Sequence, residues 1–404
     1  MGNIYRRWRP GLAVVCLLMI GLISWPLITA AKQQYKKVTD LTAAYNEDDA
    51  VVRVSWEHTA SSAHYQVKVL SGGEKITGTS TSQQHADFEP ALFTYGHDYT
   101  IQVRVKPSGK KTASGWKKIT YTHTVEPDPC PTDGISHEVY VTSSTTPTSF
   151  PGADEATFTK ASVPDAIQLQ ETIAGGNEGD VLAYFVRSGL CMSKSEDNGL
   201  TWSDPVSVAF ANMPDGVVGA VDPSLVQLSN GKLRLFFFGS TTSTGDPAQQ
   251  AGDHVIYSAT SEDGANFTLD DGERLARTQI TDPEVIKLGN TWIMYLSLGS
   301  TSLIATATDG LNFTLADETW SGGGIPGAYV DTDQVVHIYG CSGGVNTATS
   351  TDGLTFGAST TGVIPVTAGY TTCDPSPVLF NDGTILMVYK KQADSTGEDS
   401  DGSK

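Results

Sequence analysis

The chain is short of positive charge, of histidine and of cysteine. Its 404 residues hold 26 Lys and Arg against 45 Asp and Glu, with 8 His and 5 Cys. The shortage of cations is local: residues 127–404 carry 11 basic and 35 acidic side chains. A surface that acidic repels phosphate backbones, so nucleic-acid binding is not expected. Solubility is the plain consequence, and affinity for cations the sharper one. The few histidines and cysteines form no Cys-x-x-Cys and no His cluster, so no zinc site is expected. His254 and His337 stand alone and are read as core or rim residues, not ligands. Helical heptads are missing too, whereas Gly is abundant at 41 residues and Val, Thr, Tyr and Phe are frequent. That balance favours an all-β protein with many turns and room for two or three domains.

Residues 1–37 reverse the charge bias, with six Lys/Arg and no acid. Gly11 to Ala30 is an apolar run, with small residues at Thr29, Ala30 and Ala31 where it ends. Residues 1–31 therefore read as a cleavable signal peptide. The run is also long enough, at about 20 residues, to anchor the chain in a bilayer with Arg6, Arg7 and Arg9 on the cytoplasmic side. Either route places the remainder outside the membrane, extracellular or on the cell surface. Cys130, Cys191, Cys341 and Cys373 belong to that exported part, with their pairing open.

Residues 38–126 alternate apolar and polar positions in several short runs. Val52, Val54 and Trp56 share one face, as do Tyr65, Val67 and Val69, and as do Tyr99, Ile101, Val103 and Val105. Period two over such runs indicates the half-buried strands of a sandwich. With Trp56 early, Tyr65 next, and Tyr99 in "LFTYGHDYTIQVRV", the segment resembles a fibronectin type III domain. The resemblance implies a tyrosine corner at Tyr99 and no catalytic constellation. Trp116 is read as a packed ring. Residues 127–136 are Pro-rich and read as a short stiff linker.

Residues 137–391 repeat. Five segments align on Pro164, Pro223, Pro283, Pro326 and Pro375, at spacings of 59, 60, 43 and 49 residues. Each is followed by a turn and a second apolar strand, and most by a third strand and an Asp-Gly-aromatic turn. Repeats of about 40–50 residues with several strands each indicate propeller blades. The fifth repeat runs out of strands, and "HEVYVTSSTTPTSF" (His137 to Phe150) supplies the missing third-strand pattern. The expected domain is a five-bladed propeller closed by its own two ends, with residues 392–404 as a free acidic tail. In the recurrent turns, Asp197, Asp263, Asp309 and Asp352 are suited to cap backbone N–H groups. Trp202, Phe267, Phe313 and Phe356 end the motif as blade plugs. These turns resemble the Asp boxes of sialidase-like and other glycoside-hydrolase propellers, which implies a scaffold role.

Five acids stand at the aligned prolines. Asp222, Asp282 and Asp374 precede theirs; Asp165 and Glu284 follow theirs, where the other blades have Ser224, Gly327 and Ser376. The start of a propeller's innermost strand opens on the mouth of the central funnel, so these acids are expected to converge in one cavity. Two carboxyls across a small cavity can hydrolyse a glycosidic bond, one as acid and one as base, and a third raises the acid's pKa. The domain resembles the five-bladed propeller hydrolases of glycoside hydrolase family 43 and related clans. That resemblance implies Asp165 as base, Asp222 as modulator and Glu284 as general acid. The family's base usually precedes its Pro and its acid stands two residues before one, whereas Asp165 and Glu284 both follow. Asp282 and Asp374 are then substrate-binding. Six-bladed sialidases match less well, because the only propeller arginines, Arg187, Arg234, Arg274 and Arg277, occupy no aligned funnel position. The expected partner is a carbohydrate, the expected state a monomer, and no organic cofactor is implied. Ca²⁺ among Asp222, Asp282 and Asp374 is the cation-binding alternative. A non-catalytic carbohydrate-binding or adhesion propeller is the rival function.

Overall fold

The computed structural model describes residues 34–59, 63–107, 111–132, 135–242 and 247–394. The apolar segment and residues 395–404 of the expected acidic tail lie outside these residues. Among the described residues no helix is long and apolar enough to cross a membrane.

The first unit is a two-sheet sandwich. Thr39–Asn46, Val51–Glu57 and His85–Phe88 form one sheet, and Tyr65–Ser71 and Asp98–Val105 form the centre of the other, with Lys117–Thr122 at its edge. The alternation works as expected: Val52, Val54 and Trp56 are buried, as are Tyr65, Val67 and Val69. Burial of these branched and aromatic faces supplies the unit's core. Trp56 packs edge-on against Tyr65 at 5.2 Å. Tyr99 Oη accepts the Thr94 N–H at 2.7 Å, which ties the loop before its strand back onto it as a tyrosine corner. Trp116 is half-buried beneath the cations of Arg104 and Lys68.

The second unit is a five-bladed propeller. The innermost strands are Ser162–Gln168, Gly219–Gln227, Thr281–Leu288, Gly324–Val330 and Tyr370–Leu379. Each packs against the next, and the fifth packs against the first, so they form a ring. The fifth blade is built from both ends of the domain: Ile385–Ala393 pairs antiparallel with His137–Ser144, Tyr389 opposite Tyr140 and Lys390 opposite Val139. This strand runs two residues past the expected start of the free tail. The fourth blade has three strands, and its outer one is covered by the residues that follow: Thr347 and Thr360 exchange both backbone hydrogen bonds.

The Asp-Gly turns cap themselves and lock neighbouring blades. Asp263 Oδ1 accepts Ser261 Oγ–H and the Ala265 and Asn266 N–H groups at 2.8–2.9 Å. Asp352 does the same for Ser350, Leu354 and Thr355. The next residue of each turn then takes a hydroxyl from the preceding blade: Tyr184 donates to Gly264 O and Tyr295 to Gly353 O. Gly264 and Gly353 have φ of 82° and 72°, values that favour glycine.

Cys130 is disulfide-bonded to Cys191, and Cys341 to Cys373. The first bond and two backbone hydrogen bonds, Cys130 N to Pro205 O and Ser207 N to Asp128 O, fasten the linker to blade 1. The second crosslinks blades 4 and 5. Two disulfides fit an oxidising compartment. The sandwich rests against the outer strands of blade 2, where Glu89 Oε2 accepts the Asn212 N–H at 2.9 Å.

Candidate functional site

Every innermost strand begins with the same irregularity. The pairing register shifts at Ser162/Asp165, Val221/Ser224, Thr281/Glu284, Gly324/Gly327 and Cys373/Ser376. At the centre of each bulge the residue before Pro is left-handed: Val163 (φ 42°), Asp222 (53°), Asp282 (48°), Ile325 (50°) and Asp374 (50°). Proline already steers its predecessor away from the right-handed helical region. A left-handed non-glycine residue costs about 1–2 kcal/mol, least for Asp and most for Val and Ile. Because all five blades share the feature, it belongs to the way the ring closes. A bulge re-aims side chains, so the period-two expectation that Asp282 and Glu284 share a side does not apply across it.

One cavity of about 30 Å³ lies within this ring of X-Pro steps, and Asp165, Asp222, Asp282, Glu284 and Asp374 all line it. The five sequence-derived acids are thus brought together, in two tiers that differ in chemistry.

The tier after the prolines is a belt. Asp165 Oδ2 accepts the Leu225 N–H of blade 2 at 2.7 Å. Ser224 Oγ accepts the Val285 N–H of blade 3 at 2.9 Å. Glu284 Oε1 accepts the Ala328 N–H of blade 4 at 2.9 Å. Ser376 Oγ accepts the Ala166 N–H of blade 1 at 2.9 Å and donates to Asp165 Oδ1 at 2.8 Å. The one gap, from blade 4 to blade 5, is filled consistently. The residue that would donate there is Pro377, which has no N–H, and its counterpart is Gly327, which has no side chain. A Cβ on Gly327 would lie 1.8 Å from Pro375 O. Asp165 and Glu284 therefore do what Ser224 and Ser376 do in other blades, with a longer reach. Burial pushes the Asp165 carboxyl up to about 7 despite its bonds to Ser376, Leu225 and Ala166. Burial, and secondarily Asp165, hold Glu284 well above the usual carboxyl range.

The tier before the prolines faces the mouth. Asp222 Oδ2 accepts the Asp282 N–H at 3.2 Å, and Thr281 Oγ1 donates to Asp282 Oδ2 at 2.6 Å. Burial, then the neighbouring Asp282, raise Asp222 well above its usual value. Burial, then Asp374, raise Asp282 to about 6. Asp374 is met by Lys390, whose Nζ lies 2.5 Å from Asp374 Oδ2. Burial alone would lower the Lys390 pKa, but Asp374, and behind it Asp282 and Asp222, raise it overall.

Sequence reasoning missed Lys390, the belt serines and His137. Lys390 stands on the second strand of blade 5, not at an aligned proline. The visible signal was a double lysine in the otherwise apolar strand "ILMVYKKQ". His137 Nδ1 lies 2.9 Å from Ser162 Oγ, and burial, then Lys390, lower its pKa. His254 and His337 are structural: His254 stacks on Phe238 between two backbone carbonyls, and His337 stacks on Tyr329 and meets Asp331.

Among the described residues no group of three His, Cys, Asp or Glu side chains is placed to hold a metal ion. The counter-charge for the mouth acids is the Lys390 ammonium. At the far end of the channel a wider, open cavity of about 290 Å³ is lined by Gln168, Gln227, Lys287 and apolar side chains, with Asp165 and Glu284 at the waist between the two.

Comparison with known proteins agrees with the fibronectin-like reading of the first unit. Residues 39–114 match the family model of the PBP1-like, fibronectin3-like domain. No curated protein matches the sequence. Among solved structures, the glycoside hydrolase family 43 protein BlXynB of Bacillus licheniformis is similar at 15% identity and a TM-score of 0.40, over 58% of this chain and 49% of that one. The Bombyx mori family 32 β-fructofuranosidase BmSUC1 is similar at 15% identity and 0.39, over 56% and 54%. A Xanthomonas citri GH43_1 enzyme complexed with xylotriose is similar at 13% identity and 0.29, over 35% and 54%. The chain thus spans about half the length of each of these enzymes. At such scores the likeness carries no argument. The chain is a fibronectin-like sandwich followed by a five-bladed propeller.

Proposed function

We propose that the chain is an exported carbohydrate-binding propeller that holds its ligand at the X-Pro mouth without hydrolysing it. The observation that carries this reading is the belt. Asp165 and Glu284 are buried, and each is bonded to the backbone of the next blade. A general acid or base must reach the glycosidic oxygen or the attacking water directly. An inverting pair must also admit that water between carboxyls roughly 6.5–9.5 Å apart, beside the sugar. On the side of the X-Pro mouth, the cavity of about 30 Å³ that Asp165 and Glu284 line admits a water molecule but not a sugar ring. The mouth acids, with Thr281 beside them, offer hydrogen-bond partners for hydroxyl groups of a ligand seated above them. The apolar N-terminal segment and the two disulfides support export.

Hydrolysis is the second reading, favoured by the protonation of the belt acids. A carboxyl whose pKa burial raises, as it does for Glu284, holds its proton more tightly and can donate it, and one raised to about 7, as Asp165 is, can exchange one. A panel of plant, algal and microbial polysaccharides decides between them. Binding without release of reducing ends, unchanged in Glu284→Gln, supports the binding protein. Turnover that falls by orders of magnitude in Glu284→Gln while binding persists establishes the glycosidase, with Asp222 as modulator.

A further inference from the structure

The mouth is built around an ammonium group that the protein supplies itself. Lys390 Nζ pairs with Asp374 and feels Asp282 and Asp222. One ammonium does not satisfy three carboxyls. Asp374 is 4% exposed and lines the cavity, and its Oδ1 accepts no hydrogen bond among the described residues. Asp222 and Asp282 lean on one another, with no cation of their own.

We propose that the mouth is a primary-amine subsite, in which the Asp374 carboxyl, with the charges of Asp222 and Asp282 beside it, takes the ammonium of an amino sugar whose nitrogen is not acetylated. The inference rests on the carbohydrate-binding reading above and specifies its ligand. An ammonium is the size of a water molecule, which is what the 30 Å³ cavity holds. Its N–H groups can donate to the unpartnered Asp374 Oδ1, with the sugar ring left outside. An acetamido group is too large and carries no charge. A uronic acid is repelled, since the single cation at the mouth is already paired.

The proton balance follows. The charged and titratable groups around the subsite are Asp222, Asp282, Asp374, Lys390 and His137, with Asp165 and Glu284 at its floor. Asp222 and Asp282 hold protons more tightly than ordinary carboxyls. An entering ammonium stabilises their ionised forms, so binding releases protons to solvent. Affinity therefore rises with pH through about 6 and declines once the ligand's own amine deprotonates.

Titration calorimetry on the full chain tests this with a glucosamine tetramer, its N-acetylated counterpart, a uronic-acid oligomer, methylammonium and Ca²⁺. The glucosamine tetramer is expected to bind at least about tenfold tighter than the N-acetylated one, the step one charge-assisted hydrogen bond supplies. Its measured enthalpy depends on the buffer's ionisation enthalpy, which reports the released protons. Asp222→Asn and Asp282→Asn, each verified as folded by circular dichroism, lose that preference. Methylammonium competes with the tetramer, which separates amine recognition from glycan recognition. Equal binding of both tetramers overturns the amine subsite and leaves the glycan reading standing. Binding of methylammonium with no glycan preference retains the subsite and sinks the glycan reading. Displacement of the amine by Ca²⁺ at equal concentration, or unchanged amine binding in both Asn variants, overturns the assignment.

Discussion

Lys390→Met isolates the strongest interaction in the mouth. The Lys390 and Asp374 side chains are 12% and 3% exposed, and no other group donates a hydrogen bond to Asp374 among the described residues. Methionine keeps the length of the side chain and its packing but removes the charge. Asp374 is then a buried carboxylate without a counter-ion, in a site already crowded by Asp282 and Asp222. Removing one partner of a buried pair costs about 3–5 kcal/mol. For a unit of this size each kcal/mol moves the melting temperature by about 2–4 °C, so a fall of roughly 6–20 °C is expected. Asp374→Asn in the same background removes the orphaned charge and tolerates the left-handed backbone at that position. A buried amide with imperfect partners costs about 1–3 kcal/mol, so the double variant recovers about 2 kcal/mol relative to Lys390→Met. Thermal and guanidinium unfolding of the four proteins complete a double-mutant cycle. The Lys390 pKa is raised above 10.5 in the fold. Its contribution is therefore full below 10.5 and is lost as pH rises from there through the folded value. If Lys390→Met melts within about 0.5 kcal/mol of wild type at pH 7, a surface-like effect, the pair does not hold blade 5 to the mouth and the reasoning fails.

The blades were legible because their signals are local. A proline opens each inner strand, an Asp-Gly turn precedes each aromatic plug, and a fifth repeat without a third strand calls for one from elsewhere. The sandwich was legible for the same reason, through alternation and Tyr99. What was hidden is long-range. The partner of Asp165 is the Leu225 N–H, 60 residues away, and Glu284 reaches 44 residues to Ala328. Seen along the chain, two carboxylates at positions otherwise held by Ser and Gly look like exceptions. Seen around the ring, Asp165, Ser224, Glu284 and Ser376 share one task, and Gly327 is small because Pro375 O touches it. The alternation rule assumes a regular strand, and the ring imposes a bulge at the one place where the rule was needed. Lys390 was invisible because nothing in a strand's sequence says which neighbour its polar end will meet across the sheet.

Three further outcomes follow from the same contacts. Gly327→Ala forces a methyl against Pro375 O and should cost about 1–3 kcal/mol, as overpacking does, measured by guanidinium unfolding; a neutral result would show that blades 4 and 5 are not in register. Asp263→Ala strips the Ala265 and Asn266 N–H groups of their acceptor in a buried turn and should cost about 1–3 kcal/mol while leaving ligand binding at the mouth unchanged; altered affinity with unaltered stability would contradict the scaffold role. The last concerns pH. Asp165, Asp222, Asp282 and Glu284 all have raised pKa values, with Asp282 at about 6 and Asp165 at about 7. The native state therefore holds protons that the unfolded chain has released, and the stability these groups contribute is full below the unfolded value and lost as pH rises through the folded ones. His137 and His123, lowered mainly by burial, act in the opposite sense as pH falls through 6.5, but two groups oppose four. Asp197, Asp309 and Asp352 are lowered by backbone and hydroxyl donors, so their contribution is lost only as pH falls below 3.8. Stability should thus climb on acidification from pH 7 and pass its maximum near pH 4, where most proteins are already weakening. Asp222→Asn takes one titration out of the sum, so its melting temperature should change less between pH 7 and 4 than that of wild type. A wild-type optimum at neutral pH, or parallel curves for the two proteins, would show that the mouth acids are ionised in the native state and that the crowding inferred for them is absent.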